Sequence, residues 1–291
     1  LATLYYRLKS SKKEIPCESH APTLSALALT AMQDRALSQR LERKATEILG
    51  LFSETGHDPE ETAYRLLLKN FGFHLNNENF YRLALNLPFR MVGRYREQPL
   101  RMEAILFGMA GFLEQPKDLY AHELATLFRH FLHKHELRAP ALVRGDWKFL
   151  RTRPRNFPTL RLAQVASLLS SSSSLFDTLT ESTLETSWET SEYWREHYDF
   201  GKKAQLSSKD KSATQNHLRI NVQVPLLMAF KEIRQDFGER ALQLLRKCPP
   251  ERNTVVNKWG KFSVHLENAA DTQALIEQFT HFCIPRLCLR C

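Results

Sequence analysis

The stretch EQPLRMEAILFGMAGFLEQP, residues 97–116, decides the fold class of this chain. Most residues between Pro99 and Pro116 are apolar. Proline is tolerated in the first turn of a helix but interrupts one further along, so the two prolines bound a predicted helix. Gly108 and Gly111 within it are small enough to admit a close neighbour. The stretch therefore predicts a helix that packs tightly against another element.

Helical signals recur on the N-terminal and C-terminal sides of this stretch. Asp58 followed by Pro59 marks a helix start, with the aspartate as N-cap and the proline at the first helical position. Gly72 follows the last turn predicted for that helix, and glycine at this position predicts a left-handed backbone conformation that ends the helix. Residues 118–137 carry apolar side chains at helical spacing. The chain is therefore predicted to be mainly α, an antiparallel bundle-like array of helices with short loops.

Three segments depart from this pattern. Residues 1–13 alternate weakly between apolar and polar side chains, which predicts a short N-terminal strand. The polar, lysine-bearing segment 207–215 predicts a mobile loop. Residues 217–233 fit either a strand or a buried helix with a bend at Pro225. No internal repeat is visible, and no alternation of strands and helices indicates a parallel sheet.

Length and composition are those of an ordinary globular protein. The chain has 291 residues, of which 43% are hydrophobic and 25% are charged, enough for one large domain or two medium ones. We place an N-terminal helical half at 1–137 and a C-terminal helical half with a cysteine tail at 138–291. These halves form either one compact unit or two closely packed ones.

Charge and cysteine usage restrict the partners and the compartment. Lysine and arginine outnumber acidic residues 41 to 32, which favours a polyanionic partner such as nucleic acid, the alternative being a merely basic, soluble protein. No apolar run approaches the ~20 residues of a membrane span, so no membrane partner is expected. Five cysteines, an odd number in a long chain, argue against a secreted disulfide framework and indicate the reducing cytosol. Because the chain opens on Leu1, we expect residues upstream of it.

A basic junction, residues 144–161, interleaves positive and aromatic side chains, with Trp147, Phe149 and Phe157 as the aromatic ones. Guanidinium groups bind phosphate in a bidentate manner, and aromatic faces stack on bases. If the segment is extended, alternate arginines share one face, and Asn156 caps a helix that starts at Pro158. In the alternative interpretation, the aromatic residues anchor a crossing loop and the arginines pair within the protein. The candidate phosphate-binding residues are Lys148, Arg151, Arg153, Arg155 and Arg161.

The C-terminal segment CIPRLCLRC places Cys283, Cys288 and Cys291 at the spacing C-x4-C-x2-C. Two thiolates separated by two residues can face one metal ion, and the whole spacing also occurs in iron–sulfur proteins. A fourth ligand is needed from upstream, where Cys17 and Cys248 are the candidates. Neighbouring arginines, Arg286 and Arg290, are expected to lower the thiol pKa values. The alternative is a set of reduced cysteines on a short tail.

The sequence assigns no catalytic residue. His122, His130, His133 and His135 lie on one predicted helix without an H-E-x-x-H pattern, so we interpret them as surface or cap residues. Paired carboxylates are scarce, and Glu60-Glu61 is explained by the positive end of a helix dipole. The chain has no Ser-His-Asp arrangement and no Gly-rich phosphate loop.

Several segments resemble an uncharacterised bacterial family, a domain of unknown function. The resemblance rests on IPCESH, FGFHLNNENF, EAILFGMAGFL, WKFLRTRPRNFP, SEYWREHYDFG and the terminal cysteines. It implies a β-rich region upstream of this chain, and it carries Cys17 but not Cys248, which makes Cys17 the preferred fourth ligand. Some DNA-processing nucleases similarly join the two ends of a domain through one N-terminal and three C-terminal cysteines around an iron–sulfur cluster.

These observations lead to one functional hypothesis and two alternatives. The hypothesis is a non-catalytic, nucleic-acid-associated helical module with a structural zinc or iron–sulfur site formed by Cys17, Cys283, Cys288 and Cys291. The first alternative is a protein-interaction scaffold with no metal and a structural arginine junction. The second is part of a nuclease-like enzyme whose catalytic region lies outside these residues.

Overall fold

The computed structural model describes residues 2–137, 140–181, 189–204, 209–262 and 264–291, and it confirms a mainly α-helical protein. The helices are α1 (Ala2–Lys9), α2 (Ala26–Glu54), α3 (Pro59–Phe71), α4 (Phe73–Asn86), α5 (Phe89–Val92), α6 (Pro99–Met109), α7 (Leu119–Lys134), α8 (Pro158–Ser171), α9 (Leu175–Glu181), α10 (Glu192–Glu196), α11 (Lys209–Leu218), α12 (Val224–Ala229), α13 (Asp236–Lys247), α14 (Thr254–Asn257) and α15 (Ala269–Gln278). Two short strands, β1 (His197–Asp199) and β2 (Lys202–Lys203), pair antiparallel. Within the described residues, no helix is long and apolar enough to cross a membrane.

The contacts group the residues into two compact units. Leu1–Leu49 and Gln223–Cys291 form one, here called the terminal unit, and Gly50–Val222 form the other, here called the central unit. In the central unit, α3 packs against α4 and α9, and α6 packs against α7 and α8. In the terminal unit, α13 and α14 pack against α15, and α1 contacts the end of the chain. The division between halves at residue 138 stays a prediction from the sequence.

The predicted start of α3 is confirmed, but its predicted end is wrong. The Asp58 carboxylate accepts hydrogen bonds from the backbone N–H groups of Glu60 and Glu61 at 2.9 and 3.1 Å. Gly72 is right-handed, with φ −70°, because α4 begins at the next residue. A Cβ atom on Gly72 would lie 2.5 Å from the backbone of Asn76. Glycine is therefore needed at 72 for close approach of the backbone and not for a left-handed turn.

Close contacts were predicted at Gly108, which lies in α6, and at Gly111, which follows its end. Both are confirmed. A Cβ atom on Gly108 would lie 2.2 Å from the ring of Phe128 on α7. At Gly111 φ is +76°, and a Cβ atom there would lie 2.2 Å from the carbonyl oxygen of Leu142. The two glycines thus bring α7 and the segment around Leu142 against α6.

Two local predictions are wrong. Residues 2–9 form a helix and not a strand, because weak alternation over so few residues does not outweigh tertiary contacts. Residues 209–215 belong to α11, so the predicted loop is absent there, and 207 and 208 lie outside the described residues. The ambiguous segment after 217 is helical, with a π turn at Arg219–Gln223 before α12.

Candidate functional site

Cys17 lies beside the cysteine tail, residues 283–291, in the terminal unit. Its side chain packs against a buried cluster that contains Cys283 together with Trp259, Phe262 and Phe279. The tail leaves α15 through a π turn at Phe279–Cys283 and ends in a 3-10 turn at Cys288–Arg290. The structure therefore brings the first and last cysteines of the chain into one neighbourhood.

Polar contacts hold the cysteine tail against the N-terminal segment. The Arg286 guanidinium donates to the carbonyl oxygens of Ser11 and Glu14 at 3.1 and 3.4 Å. Arg35 on α2 donates to the carbonyl oxygen of Cys291 at 3.0 Å, and the side-chain amide of Gln278 donates to the Cys291 sulfur at 3.0 Å. These contacts hold the tail at Arg286 and at its last residue, Cys291.

The thiols act on one another electrostatically. The pKa of Cys283 is raised to about 12, first by burial and then by negative charge on Cys17, Cys291 and Cys288. Burial is also the largest cause of the raised pKa of Cys17, followed by the charge of Cys291. Such coupling requires short separations in a weakly screened environment. The four thiols therefore share one electrostatic neighbourhood.

The expected lowering of thiol pKa values by the tail arginines is wrong. Arg286 does lower the pKa of Cys283, but burial and the neighbouring thiols outweigh it. At Cys291 the pKa is raised by burial, while Arg35 and the hydrogen bond from Gln278 oppose that rise. Desolvation disfavours the thiolate more than one partly exposed guanidinium favours it.

The donor types in this neighbourhood suit zinc or an iron–sulfur cluster, because soft thiolates are the preferred ligands of both. The four cysteines are free thiols. They do not form a closed ligand set, since no group of three or more Cys, His, Asp or Glu in the described ranges is arranged to hold a metal ion. Cys248 lies elsewhere in this unit, where its carbonyl oxygen accepts from the N–H of Ala269.

In the basic junction, Arg161 is buried and bound within the protein. Only 4% of the residue is exposed. Its guanidinium donates to Thr214, Gln164 and Asn156 at 2.6, 2.8 and 2.6 Å and stacks over the Phe73 ring at 4.4 Å. The predicted cap is also wrong, because Asn156 receives the hydrogen bond from Arg161 and the N-cap of α8 is Phe157, without a side-chain cap.

The remaining cations of the junction lie nearer the surface. Lys148, Arg151 and Arg153 are exposed, and Arg155 is half-buried. The backbone is not extended here, because Arg151 has φ +61° and the N–H of Thr152 bonds back to Phe149. The condition for a ridge of alternating arginines on one face is therefore not met.

Aromatic and amide side chains anchor this loop. The buried Trp147 indole donates to the carbonyl oxygen of Ala110 at 2.8 Å and meets Phe80 edge-on. The side chain of Asn76 exchanges two hydrogen bonds with the backbone of Lys148, at 2.9 and 3.0 Å, and Asn79 donates to the carbonyl oxygen of Asp146. Asn76 and Asn79 were missed from the sequence, although two buried amides on a helix face are a signal for loop anchoring.

A second site in the central unit was also missed. Glu103 on α6 is only 3% exposed, and its Oε2 accepts from the Trp194 indole at 2.7 Å and from the Tyr120 hydroxyl at 2.8 Å. Burial raises the pKa of this carboxyl against the effect of these donors. The signal for this site in the sequence was Glu103 itself, a single carboxylate within the apolar stretch 102–113. Glu103 also lines a cavity of about 440 Å³.

The glutamates of α3 do more than complement the helix dipole. The Glu60 carboxylate accepts from the N–H groups of Leu175 and Phe176 at 3.0 and 3.1 Å, and so caps α9. Glu61 binds Arg65 and accepts a hydrogen bond from the N–H of Phe89 at 2.7 Å.

Among the histidines that the sequence placed on one helix, His135 forms a hydrogen bond with the Tyr95 hydroxyl at 3.0 Å.

No curated protein and no solved structure is significantly similar to this chain. One family model matches it over residues 1–254, and its description is "Protein of unknown function (DUF2851)". The matched residues include Cys17, the basic junction and Glu103, and they end before the cysteine tail. Because the match covers most of the chain, the protein belongs to this family of proteins of unknown function.

Proposed function

We propose that the protein is a non-catalytic helical module whose terminal unit is closed by a structural metal site with Cys17, Cys283, Cys288 and Cys291 as ligands. The observation that carries the proposal is the packing of Cys17 against the cluster that contains Cys283, at the base of a tail with two more thiols. Either zinc or an iron–sulfur cluster fits four thiolate donors.

The physical support for the proposal is the unfavourable charge of four neighbouring thiolates. Burial and the charge of neighbouring thiolates raise the pKa values of Cys17, Cys283 and Cys291, whereas a bound cation would compensate this charge and release the protons. Cys288 is half-buried and Cys291 is exposed, so the end of the tail is open to a metal ion. Free thiols also agree with a reducing compartment such as the cytosol.

Metal analysis and an absorption spectrum of protein purified without oxygen test this proposal. We expect close to one zinc ion per chain, or iron and sulfide with a visible absorption band. Cys17→Ser should lose most of the metal and lower the melting temperature, because metal-binding energy contributes to folding. Cys248→Ser is the matched control and should keep the metal. A colourless, metal-free wild-type protein with intact thiols would end the proposal.

We further propose that the exposed cations of the basic junction associate with nucleic acid. The support is the exposure of Lys148, Arg151 and Arg153 on a loop anchored by Trp147, together with the net charge of +9. Arg161 is left out of this surface because its guanidinium is bound internally. Arg155 contributes only in part, since it is half-buried and has contacts within the protein.

Salt-dependent binding of a 20-nucleotide DNA, single- or double-stranded, tests the nucleic-acid proposal. Changing Lys148, Arg151 and Arg153 to alanine should weaken binding and lower the salt slope, by about one per lost phosphate contact. The matched control changes Lys69, Arg129 and Lys134, exposed cations outside the basic junction in the central unit, and should change binding little. Absence of binding at low salt would contradict the proposal.

The two alternative functions predict different results. A protein-interaction scaffold without a metal predicts metal-free protein and no oligonucleotide binding, with Arg161 as part of a structural junction. Part of a nuclease-like enzyme predicts DNA hydrolysis once a catalytic region is supplied. The metal and binding measurements separate the scaffold from the proposed module, and the hydrolysis assay separates the nuclease-like enzyme from it.

A further inference from the structure

The Glu103 carboxylate is buried, and no cation among the described residues is paired with it. The groups that stabilise its charged form are the Trp194 indole, the Tyr120 hydroxyl and the Ser191 hydroxyl, all of which are neutral. A buried carboxylate of this kind is costly unless an opposite charge accompanies it. The three donors orient the group without supplying that charge.

The groups that donate to Glu103 are themselves held by ring and hydrogen-bond contacts. Tyr120 stacks on Tyr193 with a ring separation of 4.3 Å, and its hydroxyl lies 3.0 Å from the Ser191 oxygen. Tyr193 in turn donates to the Asp118 carboxylate and accepts from the N–H of Gly201. Because these partners lie on separate elements, the carboxylate is held in one orientation.

The cavity beside this carboxylate has the size and polarity of a small-molecule site. Its volume of about 440 Å³ lies within the usual range for ligand pockets. Its polar wall consists of Glu103, Glu189, Ser167, Ser170, Ser171 and Ser191. The Ser170 hydroxyl oxygen is buried and has no hydrogen-bond partner among the described residues. Ser170 and Glu103 thus line the same space, and the hydrogen-bond donors to the Glu103 carboxylate among the described residues are neutral.

We propose that this cavity binds a small organic amine, whose ammonium group pairs with Glu103 and whose second polar group meets the serine hydroxyls. Two carboxylates in the wall disfavour an anion, and the serine hydroxyls disfavour a purely apolar ligand. Glu189 is an exposed carboxylate that is paired with Arg195 at 3.4 Å, so it is a weaker partner for the ammonium group than Glu103. This site is in the central unit and does not depend on the metal proposed for the terminal unit.

Putrescine and 1,4-butanediol are suitable probes, because they have the same chain length and differ in charge. We expect putrescine to bind, with millimolar or tighter affinity, and to shift the NMR signal of the Trp194 indole N–H, assigned through Trp194→Phe. Butanediol should leave that signal unchanged. Glu103→Gln should weaken putrescine binding at least tenfold, since the amide keeps an acceptor for Tyr120 and Trp194 but loses the charge.

Two further variants keep this test decisive. Glu114→Gln removes a carboxylate that lines a different cavity of the same unit and should leave the affinity unchanged. Ser170→Leu fills the cavity while keeping Glu103, and should abolish binding even if Glu103→Gln fails to fold. Equal binding of butanediol, no binding of putrescine to the wild type, or unchanged affinity in folded Glu103→Gln or Ser170→Leu would overturn the proposal.

Discussion

Arg161 is a positively charged residue whose side chain forms hydrogen bonds and a ring contact within the protein, which gives it a structural role. It lies on α8 and bonds to Asn156 in the preceding turn and to Thr214 on α11, while its guanidinium covers the Phe73 ring on α4. The sequence pattern grouped it with the exposed cations of the same segment, because spacing alone carries no information on burial. Its distance from Arg153 along the chain is small, yet their environments are opposite.

Arg161→Ala should therefore destabilise the protein by about 2–4 kcal/mol, because it leaves buried polar partners unsatisfied and removes packing against Phe73. Arg153→Ala, at an exposed position, should change stability by about 0.5 kcal/mol or less. Chemical denaturation of both variants measures the difference. Equal stability of the two variants would show that the internal hydrogen bonds of Arg161 contribute little.

At the scale of elements, the contact between α6 and α7 depends on the absence of a side chain at Gly108. Gly108→Ala places a methyl group 2.2 Å from the Phe128 ring, so the ring must move. Overpacking of this kind costs about 1–3 kcal/mol, and the gain of about 1 kcal/mol in helix propensity offsets only part of it.

A matched control is Gly50→Ala on α2, where a Cβ atom would have no neighbour within 4 Å. That substitution should stabilise the protein by about 0.5–1 kcal/mol, the gain expected from helix propensity alone. Thermal melting of both variants is the measurement. A stabilising Gly108→Ala would mean that α6 and α7 are more loosely packed than the structure has them.

Local sequence signals predicted a helix boundary correctly where the residues involved have a single structural role. Asp58 and Pro59 gave the correct start of α3. Gly72 was predicted wrongly, because glycine serves both left-handed turns and close backbone approach. The role of Glu103 was missed, since its donors Tyr120 and Trp194 come from helices distant in sequence. Contacts of this kind depend on tertiary packing, which a pattern along the chain does not encode.

At the scale of the whole molecule, three candidate sites are divided between the two units, one in the terminal unit and two in the central unit. The terminal unit is formed by both ends of the chain, and the cysteine tail is held there by Arg35, Arg286 and Gln278. The central unit carries the exposed cations of the basic junction and the Glu103 cavity. A metal bound by Cys17 and the tail would link the two ends of the terminal unit and restrict its unfolded chain.

X-ray absorption at the zinc or iron edge of the purified protein tests the central claim most directly. The account predicts a shell of sulfur neighbours at about 2.3 Å and no nitrogen or oxygen ligand, with the sulfur shell reduced in Cys288→Ser. Cys248→Ser should leave the spectrum unchanged. A first shell of nitrogen or oxygen, or a spectrum without a sulfur shell, would contradict the assignment of Cys17, Cys283, Cys288 and Cys291 as ligands.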